Sequence, residues 1–409
     1  MIFWLLILAA LAICPVALAG AGSLDPTFDG DGRVTTDLGG LDAATAVVVQ
    51  ADGKIVAVGT SPAGNVLVRY ESTGALDTTF EGDGIVLFAG PPPADVAAQD
   101  DGKVVVAGSW GVARFNADGT LDMSFAGDGI ATKRAFAGDF NGVAVQPDGK
   151  VVVVGRSYRQ SEGGTAGIVR FNSDGTIDRS FSGDGMLLML KGYYSAANAV
   201  SIRPNGKIVV AGWEYTEVND MGRTFSLYRV RPGGTLDKSF GGDGIVRTSF
   251  GDDGAEAFDV ALQADGRIVV VGYTGFRAAG DFALARYTKG GRLDATLSDD
   301  GKRRTDFGGG RDEARGLMIQ ANGRIVLAGS AAPPGHRLQA NFALARYRAS
   351  GELDRTFSDN GKKRTRFGAN NQDSGNDLTL QPDGRIVVAG SATLVFDSYD
   401  FGLARYLAE

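Results

Sequence analysis

The chain has 409 residues, a formal net charge of −7 and a hydrophobic content of 44%. This length suffices for several ordinary domains, and the apolar fraction is ample for a packed core. The mild negative charge and the absence of an evident basic stripe in the sequence argue against nucleic acid as a partner, because phosphate neutralisation supplies most of such affinity.

The N-terminal segment, residues 1–21, is typical of an export signal. Residues 2–18 are almost purely apolar, and the small residues at 17–19 offer a cleavage site. No Lys or Arg precedes the apolar run and its length approaches a membrane span, so an uncleaved anchor is one alternative. Lipidation at Cys14 is another. We expect cleavage and a cysteine-free mature domain, residues 22–409, with no membrane span, which is secreted or held in the periplasm or cell envelope.

A nine-residue pattern, L-D-x-x-F-x-G-D-G, recurs along the mature chain. A Q-x-D-G-K/R signal and an A-R-Y signal lie between successive copies in fixed order. Self-similarity at a spacing of 45 to 60 residues indicates one supersecondary unit used repeatedly. The seven copies begin at Leu24, Leu76, Leu121, Ile177, Leu236, Leu293 and Leu353.

Each unit is predicted to form four strands, and the third unit shows them clearly. Residues 142–146 alternate as in a half-buried strand, and the Asp-Gly pair that follows favours a type I′ hairpin turn. Residues 151–154 are a β-branched run, which is typical of a strand buried on both faces. Residues 167–171 and 185–189 supply the third and fourth strands. No unit has the apolar period of a helix.

Seven units of four antiparallel strands predict an all-β fold, a seven-bladed β-propeller. A β-solenoid is the alternative, although solenoid coils are usually shorter and lack two Asp-Gly hairpins per turn. The last unit ends just after its third strand, whereas residues 32–36 add a strand before the first unit. We therefore expect the N-terminal strand to complete the last blade and close the ring.

The combined cassette resembles the delta-60 repeat of exported bacterial proteins. The cassette comprises G-x-L-D-x-x-F-x-G-D-G-x-V, Q-x-D-G-K-I-V-V-A-G and F-A-L-A-R-Y, and its copies cover nearly the whole mature chain. The last two copies depart locally, with Leu297 for the motif Phe, Asn360 for the motif Asp, and Asp299 and Asp359 for a motif Gly. The resemblance implies a propeller, export and an unknown function, and it assigns no catalytic residue.

An arginine recurs in the third strand of every unit. Alternation places Phe282, Leu284 and Arg286 on one face, so the guanidinium is expected to be partly buried and to need a carboxylate or carbonyl partner. The aspartates of the L-D and G-D-G motifs are the candidates. A ring of ligand-binding arginines is the alternative, but we predict a structural role, because a site needs few residues and a scaffold needs all of them. The set is Arg69, Arg114, Arg170, Arg229, Arg286, Arg346 and Arg405.

The sequence predicts no cofactor and favours a protein that is not an enzyme. Calcium at the G-D-G segments is the alternative, but most copies offer a single Asp where calcium takes about six to eight oxygens. A Ser-His-Asp triad would depend on the sole histidine, His336. Two carboxylates suffice for glycoside cleavage, yet no spacing favours a pair among Asp139, Glu217, Asp253, Glu256, Asp312 and Glu313.

Recognition is predicted on one face of the propeller. The second-to-third loops and the connections between blades lie on that face and vary, and variable loops on a rigid scaffold commonly bind ligands. We expect a monomeric binding scaffold for a glycan, a peptide or an envelope protein. The alternatives are a carbohydrate-active hydrolase or lyase using two carboxylates on that face, and a structural surface protein whose loop aromatics merely pack. The candidate residues are Tyr158, Tyr194, Trp213, Tyr215, Tyr273, Arg311, His336 and Tyr399.

Overall fold

The computed structural model describes residues 20–109, 111–133, 136–158, 164–189, 194–215, 222–251, 254–275, 280–336, 339–358, 360–369, 372–394 and 398–409. The predicted export signal lies outside these residues except for its last two positions. Within the described ranges, no helix is long and apolar enough to cross a bilayer.

The strands form seven four-stranded antiparallel sheets, each built from consecutive strands except at the seam, so the predicted seven-bladed propeller is confirmed. The first blade contains β2 (Ala43–Val49), β3 (Ile55–Ser61), β4 (Gly64–Tyr70) and β5 (Ile85–Phe88), the second contains β6 (Pro93–Ala98), β7 (Val104–Gly108), β8 (Gly111–Phe115) and β9 (Ile130–Thr132), and the third contains β10 (Gly138–Val145), β11 (Val151–Ser157), β12 (Thr165–Phe171) and β13 (Met186–Leu188). The fourth blade contains β14 (Ser195–Ile202), β15 (Ile208–Tyr215), β16 (Arg223–Val230) and β17 (Ile245–Thr248), and the fifth contains β18 (Ala255–Leu262), β19 (Ile268–Thr274), β20 (Asp281–Tyr287) and β21 (Lys302–Thr305). The sixth blade contains β22 (Asp312–Ile319), β23 (Ile325–Ala331), β24 (Asn341–Tyr347) and β25 (Lys362–Thr365), and the seventh contains β26 (Ser374–Leu380), β27 (Ile386–Ala392), β28 (Asp400–Tyr406) and β1 (Arg33–Thr36).

The N-terminal strand closes the ring, as the sequence predicted. Strand β1 pairs antiparallel with β28, and Val34 lies opposite Leu403. Upstream of β1, the Gly22 amide donates to the Leu407 carbonyl at 2.8 Å. The two ends of the chain therefore share one sheet, which leaves no open edge between the first and last blades.

The apolar core lies between neighbouring blades. The cluster between the seventh and first blades joins Phe28, Val34 and Leu403 to Val47 and Val68 of the first blade, all of them buried. Because successive side chains of a strand point to opposite faces, the continuous apolar runs of the second and third strands fill two such interfaces at once. The blades are therefore held together mainly by burial, because residues 22–409 contain no cysteine that could form a disulfide.

Each innermost strand carries a bulge, and a glycine of the second strand faces it. In the fifth blade the register shifts between Ala257 and Asp259, and Gly272 lies so close that a Cβ atom there would be 1.8 Å from the Glu256 carbonyl oxygen. Only glycine permits this approach, which explains the fixed glycine at the end of every I/V-V-V/A/L-A/V-G run. The bulge turns one extra side chain of each blade toward the channel.

Candidate functional site

The third-strand arginine of every blade contacts the aspartate of an L-D motif. In the fifth blade, Arg286 Nε lies 2.7 Å from Asp294 Oδ2, and the arginine is only 2% exposed. Across the seven pairs the shortest nitrogen–oxygen distances run from 2.5 to 2.9 Å. A buried charge needs such a partner, and here each pair lies within one blade or, for Arg405 and Asp25, within the shared blade.

The same arginines also connect neighbouring blades. Arg114 Nη1 donates to the Ser173 carbonyl of the next blade at 2.5 Å, and Arg170 Nη1 donates to the Pro232 carbonyl at 2.6 Å. Six of the guanidiniums lie over the motif phenylalanine, 4.2 to 4.7 Å from the ring centre. In the fifth blade Leu297 occupies that position. Because their donors face protein partners, these arginines are poorly placed to hold a ligand.

The hairpin Lys or Arg reaches the same aspartate, a contact that the sequence analysis missed. Lys54 Nζ lies 2.8 Å from Asp77 Oδ2, and Arg267 Nε lies 3.0 Å from Asp294 Oδ2. The basic residue at the end of each Q-x-D-G-K/R signal is the sequence feature that could have predicted this contact. Burial would raise the pKa of Asp122, but hydrogen bonds from Lys103 and Ser124 and the charge of Arg114 hold this pKa well below its ordinary range.

The aspartates of the G-D-G segments cap their own turns. Asp83 Oδ1 accepts the Ile85 amide at 2.9 Å, and Asp128 Oδ1 accepts the Ile130 amide at 3.0 Å. This local side-chain bond to the backbone two residues on is an Asx turn, so these aspartates have a structural role in their own turns.

Three carboxylates line the central channel at equivalent positions of the second, fifth and seventh blades. Asp95, Asp259 and Asp377 each follow the bulge of an innermost strand. Asp259 Oδ1 accepts the Val260 amide at 2.6 Å, and its Oδ2 accepts the Leu317 amide of the next blade at 2.7 Å. The other two aspartates repeat this pattern.

Burial in the narrow channel perturbs all three of these carboxyl groups. It raises the pKa of Asp95 to about 6 and that of Asp259 to about 7, against two backbone hydrogen bonds each that lower it. Burial raises the pKa of Asp377 as well, and the charges of Asp95 and Asp259 add to that rise. The charge of Asp95 therefore raises the pKa of both other carboxyl groups across the channel.

A cavity of about 540 Å³ opens beside two of these carboxylates. Asp259 and Asp377 line it together with Arg203, Pro204 and Gln263, which lie at the hairpin ends of the innermost strands. The cavity is thus at the stereotyped end of the channel. The predicted recognition residues lie at the opposite, variable end.

On the variable face, arginines and aromatic rings form a continuous cluster across the third to sixth blades. Arg156 lies 5.5 Å from the Trp213 ring centre, and Arg223 lies 4.1 Å from Trp213 and 5.2 Å from Tyr215. Arg311 lies 5.5 Å from the Tyr273 ring. We call this group the Arg–aromatic belt; it comprises Arg156, Trp213, Tyr215, Arg223, Phe258, Tyr273, Arg311 and Arg315.

The belt reaches the channel mouth through a bulge residue that sequence reasoning did not select. Phe258 occupies the bulge of the fifth blade, and its ring stacks on Tyr273 with centres 5.6 Å apart and planes 15° apart. Arg315, at the bulge of the sixth blade, lies 5.3 Å from the Phe258 ring. The strand pattern gives no signal for a bulge, so these two residues could be placed at the mouth only from the fold.

Buried glutamates lie beneath the belt and pair with its arginines. Glu313, 6% exposed, contacts Arg311 at 2.5 Å and Arg315 at 2.8 Å. Glu256 pairs with Arg223 of the belt, and the buried Glu214 pairs with Arg247, which lies outside the belt. These contacts hold the guanidinium groups in place beside the rings.

The predicted recognition residues differ widely in exposure. Tyr158 and Tyr194 are 51% and 37% exposed, whereas Trp213 and Tyr273 are only 7% and 4% exposed. Both exposed tyrosines extend the belt: the Tyr158 ring centre lies 5.4 Å from Arg156, and Tyr194 contacts Tyr215 edge-on with ring centres 5.8 Å apart. The fold therefore brings together six of the eight predicted residues: Tyr158, Tyr194, Trp213, Tyr215, Tyr273 and Arg311.

The remaining candidates lie apart from the belt. His336 is exposed in a loop of the sixth blade, and the Tyr399 hydroxyl donates to Gln372 Oε1 at 2.9 Å in the seventh blade. Among the predicted acids, Asp139 accepts the Tyr158 hydroxyl at 2.8 Å. Asp312 lies with Asp281 and Asp306 at a junction between blades. Glu217 and Asp253 lie outside the described residues.

The outer strands of the fifth and sixth blades each carry a short run of basic residues, so positive charge is concentrated here although the net charge of the chain is −7. A groove of about 950 Å³ between these blades is lined by Arg303, Arg304, Arg348, Arg355 and Lys362. Several of the cations bond to carbonyls of a neighbouring blade, as Lys362 Nζ does to Asp306 at 3.0 Å. They fasten the blade edges to one another.

Together, the fold and its repeated ion pairs define a β-propeller repeat protein. The chain belongs to the family described as "Domain of unknown function (DUF5122) beta-propeller", whose model matches residues 50–80, 99–125, 146–181, 203–240, 263–297, 320–357 and 381–409. Among curated proteins, no sequence matches this chain significantly.

Solved structures with the same architecture are distant in sequence. A protein of unknown function from Dyadobacter fermentans is 11% identical, with a TM-score of 0.52, and the match covers 92% of this chain and 98% of that one. A catalytically inactive virginiamycin B lyase from Staphylococcus aureus with quinupristin is 12% identical, with a TM-score of 0.53 over 92% and 99% of the chains. A polysaccharide lyase, an ulvan lyase bound to a GlcA–sulfated rhamnose unit, is 9% identical, with a TM-score of 0.52 over 92% and 96%. At these identities the likeness concerns the fold alone.

Proposed function

We propose that this protein is an exported, monomeric binding scaffold whose Arg–aromatic belt recognises a carbohydrate chain that bears carboxylate groups. The single observation that carries the proposal is the belt itself, in which guanidinium groups and accessible ring edges alternate over the channel mouth. The apolar segment of residues 1–21 supports export to the periplasm, the cell envelope or the medium. The cassette supports a repeat of the delta-60 type.

The chemistry of the belt suits an acidic sugar. The C–H face of a pyranose is apolar and packs against an aromatic ring, and Tyr158, Tyr194 and Tyr215 offer rings that are at least partly exposed. A planar guanidinium matches a carboxylate with two parallel hydrogen bonds. Arg315 is exposed and keeps one face toward Phe258, so a sugar carboxylate has a cation at the channel mouth.

Rigidity of the belt favours binding over catalysis. Glu256 and Glu313 are buried and paired with arginines, so they position cations and do not offer a free acid to a substrate. Ordered side chains lose little entropy when a ligand arrives. A preformed surface of this kind is suited to binding a ligand and does not need a catalytic group.

A hydrolase or lyase is the second candidate, and one observation favours it. Asp259 and Asp377 line one cavity, and burial raises the pKa of Asp259 to about 7, a value suited to a general acid. Propellers of this architecture include a polysaccharide lyase. Against this candidate, each carboxylate already accepts two backbone amides and thereby connects two blades, which accounts for the aspartate at equivalent positions of several blades without catalysis.

A binding array tests the proposal. The mature protein is applied to immobilised glycans that include uronate polymers, neutral polymers and peptidoglycan fragments. We expect selective retention by uronate-bearing chains and a loss of about tenfold in affinity for Arg315→Ala, because a charge-assisted contact is worth roughly 1.5–3 kcal/mol. The matched control is Arg292→Ala, an exposed arginine on the opposite face, which should bind as the native chain does. A blank array, or equal losses in both variants, contradicts the proposal.

The same ligands separate the two candidates. Each retained polysaccharide is incubated with the protein, and reducing ends and unsaturated products are measured over time. Product formation that stops in Asp259→Asn establishes the enzyme, whereas retention without any product supports the scaffold.

A further inference from the structure

Three aspartates from three parts of the chain meet where the ring closes. Asp37 follows β1 at the N-terminal end, Asp42 precedes β2 of the first blade, and Asp400 begins β28 near the C-terminus. One carboxylate oxygen from each lies within 4.8 Å of the others. Asp42 and Asp400 are 0% and 5% exposed.

Two of these carboxylates have an oxygen without a partner. Asp42 Oδ2 accepts the Leu38 amide at 2.6 Å, but Asp42 Oδ1 is buried and has no hydrogen-bond donor among the described residues. Asp400 Oδ1 is in the same state. A buried, unpaired carboxylate oxygen is costly, and two of them in one cluster of three acids point to a positive ligand.

The junction between the sixth and seventh blades shows how the same site is built when no ligand is needed. The equivalent of Asp42 there is Asp373, whose Oδ2 accepts the Phe367 amide at 3.0 Å and whose Oδ1 accepts the Thr393 amide at 2.8 Å. Asn341 and Arg366 stand at the positions of the other two aspartates. The charge of Arg366 offsets that of Asp373, Asn341 is neutral, and both carboxylate oxygens of Asp373 accept a hydrogen bond.

The sequence explains why Asp42 Oδ1 at the seam has no hydrogen-bond donor among the described residues. By the register of the second strand, in which Gly59 corresponds to Gly390, the residue equivalent to Thr393 in the first blade is Pro62. Proline has no amide hydrogen to donate. The donor that satisfies Asp373 is therefore missing at Asp42, while two further carboxylates are added.

We infer that Asp37, Asp42 and Asp400 form a binding site for a hard divalent cation, with Ca²⁺ as the best match, at the seam of the ring. Three carboxylates without histidine or cysteine are the oxygen set that Ca²⁺ takes, and backbone carbonyls and waters usually complete its shell. The glycine pair at 39–40 keeps the intervening loop tight, because Asp37 Oδ1 accepts the Gly39 amide at 2.8 Å. Since Asp37 and Asp400 come from opposite ends of the chain, the bound cation fastens the closure.

A second, weaker copy of the site lies between the fifth and sixth blades. Asp281, Asp306 and Asp312 occupy the equivalent positions within 4.8 Å of one another, and Asp312 Oδ1 is again buried without a donor among the described residues. Here the Ala332 amide, the counterpart of Thr393, donates to the Arg311 carbonyl at 3.0 Å. The charges of Arg304 and Arg364 act on this cluster, so its affinity for a cation is lower than at the seam.

Calorimetric titration of the metal-stripped mature protein with Ca²⁺ tests the site. We expect two binding events with dissociation constants of about 10⁻⁵ to 10⁻³ M. Asp42→Asn should remove the tighter event, and Asp312→Asn should remove the weaker one. Asp373→Asn is the matched control at the third junction, and it should keep both.

Stability and exchange give a readout that simple misfolding would not reproduce. In chelator, Asp42→Asn should melt at or above the native temperature, because it relieves repulsion among the three carboxylates. With Ca²⁺ added, only the native chain and Asp373→Asn should gain the full rise in melting temperature and slow amide exchange in β1. An absence of heat and of any Ca²⁺-dependent rise in the native chain overturns the inference, as does a loss of binding in Asp373→Asn equal to that in Asp42→Asn.

Discussion

Replacement of one buried arginine probes the repeated ion pair most cleanly in the fifth blade. Arg286→Ala removes three contacts: Nε to Asp294 at 2.7 Å, Nη2 to Thr296 at 2.9 Å, and Nη1 to the Ala349 carbonyl of the next blade. Because Leu297 stands where the other blades have phenylalanine, no cation–π contact to that position is lost with it. The measured effect is therefore that of the ion pair and its hydrogen bonds.

The magnitude follows from what the substitution leaves behind. Breaking a buried ion pair costs roughly 3–5 kcal/mol, because the remaining charge loses its compensation. Asp294 keeps Arg267 at 3.0 Å, which places the loss at the lower end of that range. The unmet Ala349 carbonyl adds roughly 1–3 kcal/mol. We expect a loss of about 4–5 kcal/mol in the free energy of unfolding.

Urea unfolding followed by tryptophan fluorescence and by circular dichroism measures this loss. Arg292→Ala replaces an exposed arginine in the turn that follows β20 of the same blade; it is the control and should change stability by less than about 0.5 kcal/mol. The double variant Arg286→Ala/Asp294→Ala should be less destabilised than the sum of its single changes, since the buried charges are removed together. A loss below about 1 kcal/mol for Arg286→Ala would refute a structural role for the pair.

Two further predictions concern the channel and the seam. Because the folded pKa values of Asp95 and Asp259 lie near 6 and 7, above the ordinary 3.8, the folded state binds more protons than the unfolded state between about pH 4 and pH 7; stability should therefore rise as the pH falls through that window. Thermal melts from about pH 8 to pH 5 check this, and a slope in Asp259→Asn as steep as in the native chain would contradict it. Deletion of residues 22–38 from the mature chain removes β1 and should open the ring and cause aggregation. A product that is soluble and monomeric on size-exclusion chromatography and keeps its melting temperature in a thermal melt would argue against this role of β1.

The fold could be read from the sequence because its signals are local and repeated. Asp-Gly hairpins and β-branched runs fix the strands, and the early strand at residues 32–36 together with the late end after Tyr406 predicts the shared blade. The pairing of each A-R-Y arginine with an L-D aspartate also follows from alternation and the cost of burying a charge.

The candidate site was less accessible from sequence, for physical reasons. Exposure could not be predicted for Trp213 and Tyr273, which are buried under arginines that come from other strands. Phe258 and Arg315 reach the channel mouth through bulges, which leave no periodic signal. The acidic cluster of Asp37, Asp42 and Asp400 joins residues more than 350 positions apart, so only ring closure brings it together.

Hydrogen exchange of the mature protein with and without a uronate polymer retained on the array tests recognition by the belt. We expect slower exchange on binding in the backbone segments around Tyr158, Tyr215, Arg223 and Arg315, with no change at the hairpin end of the channel around Arg203 and Gln263. Slower exchange confined to the hairpin end, with the belt unaffected, would contradict recognition by the variable face.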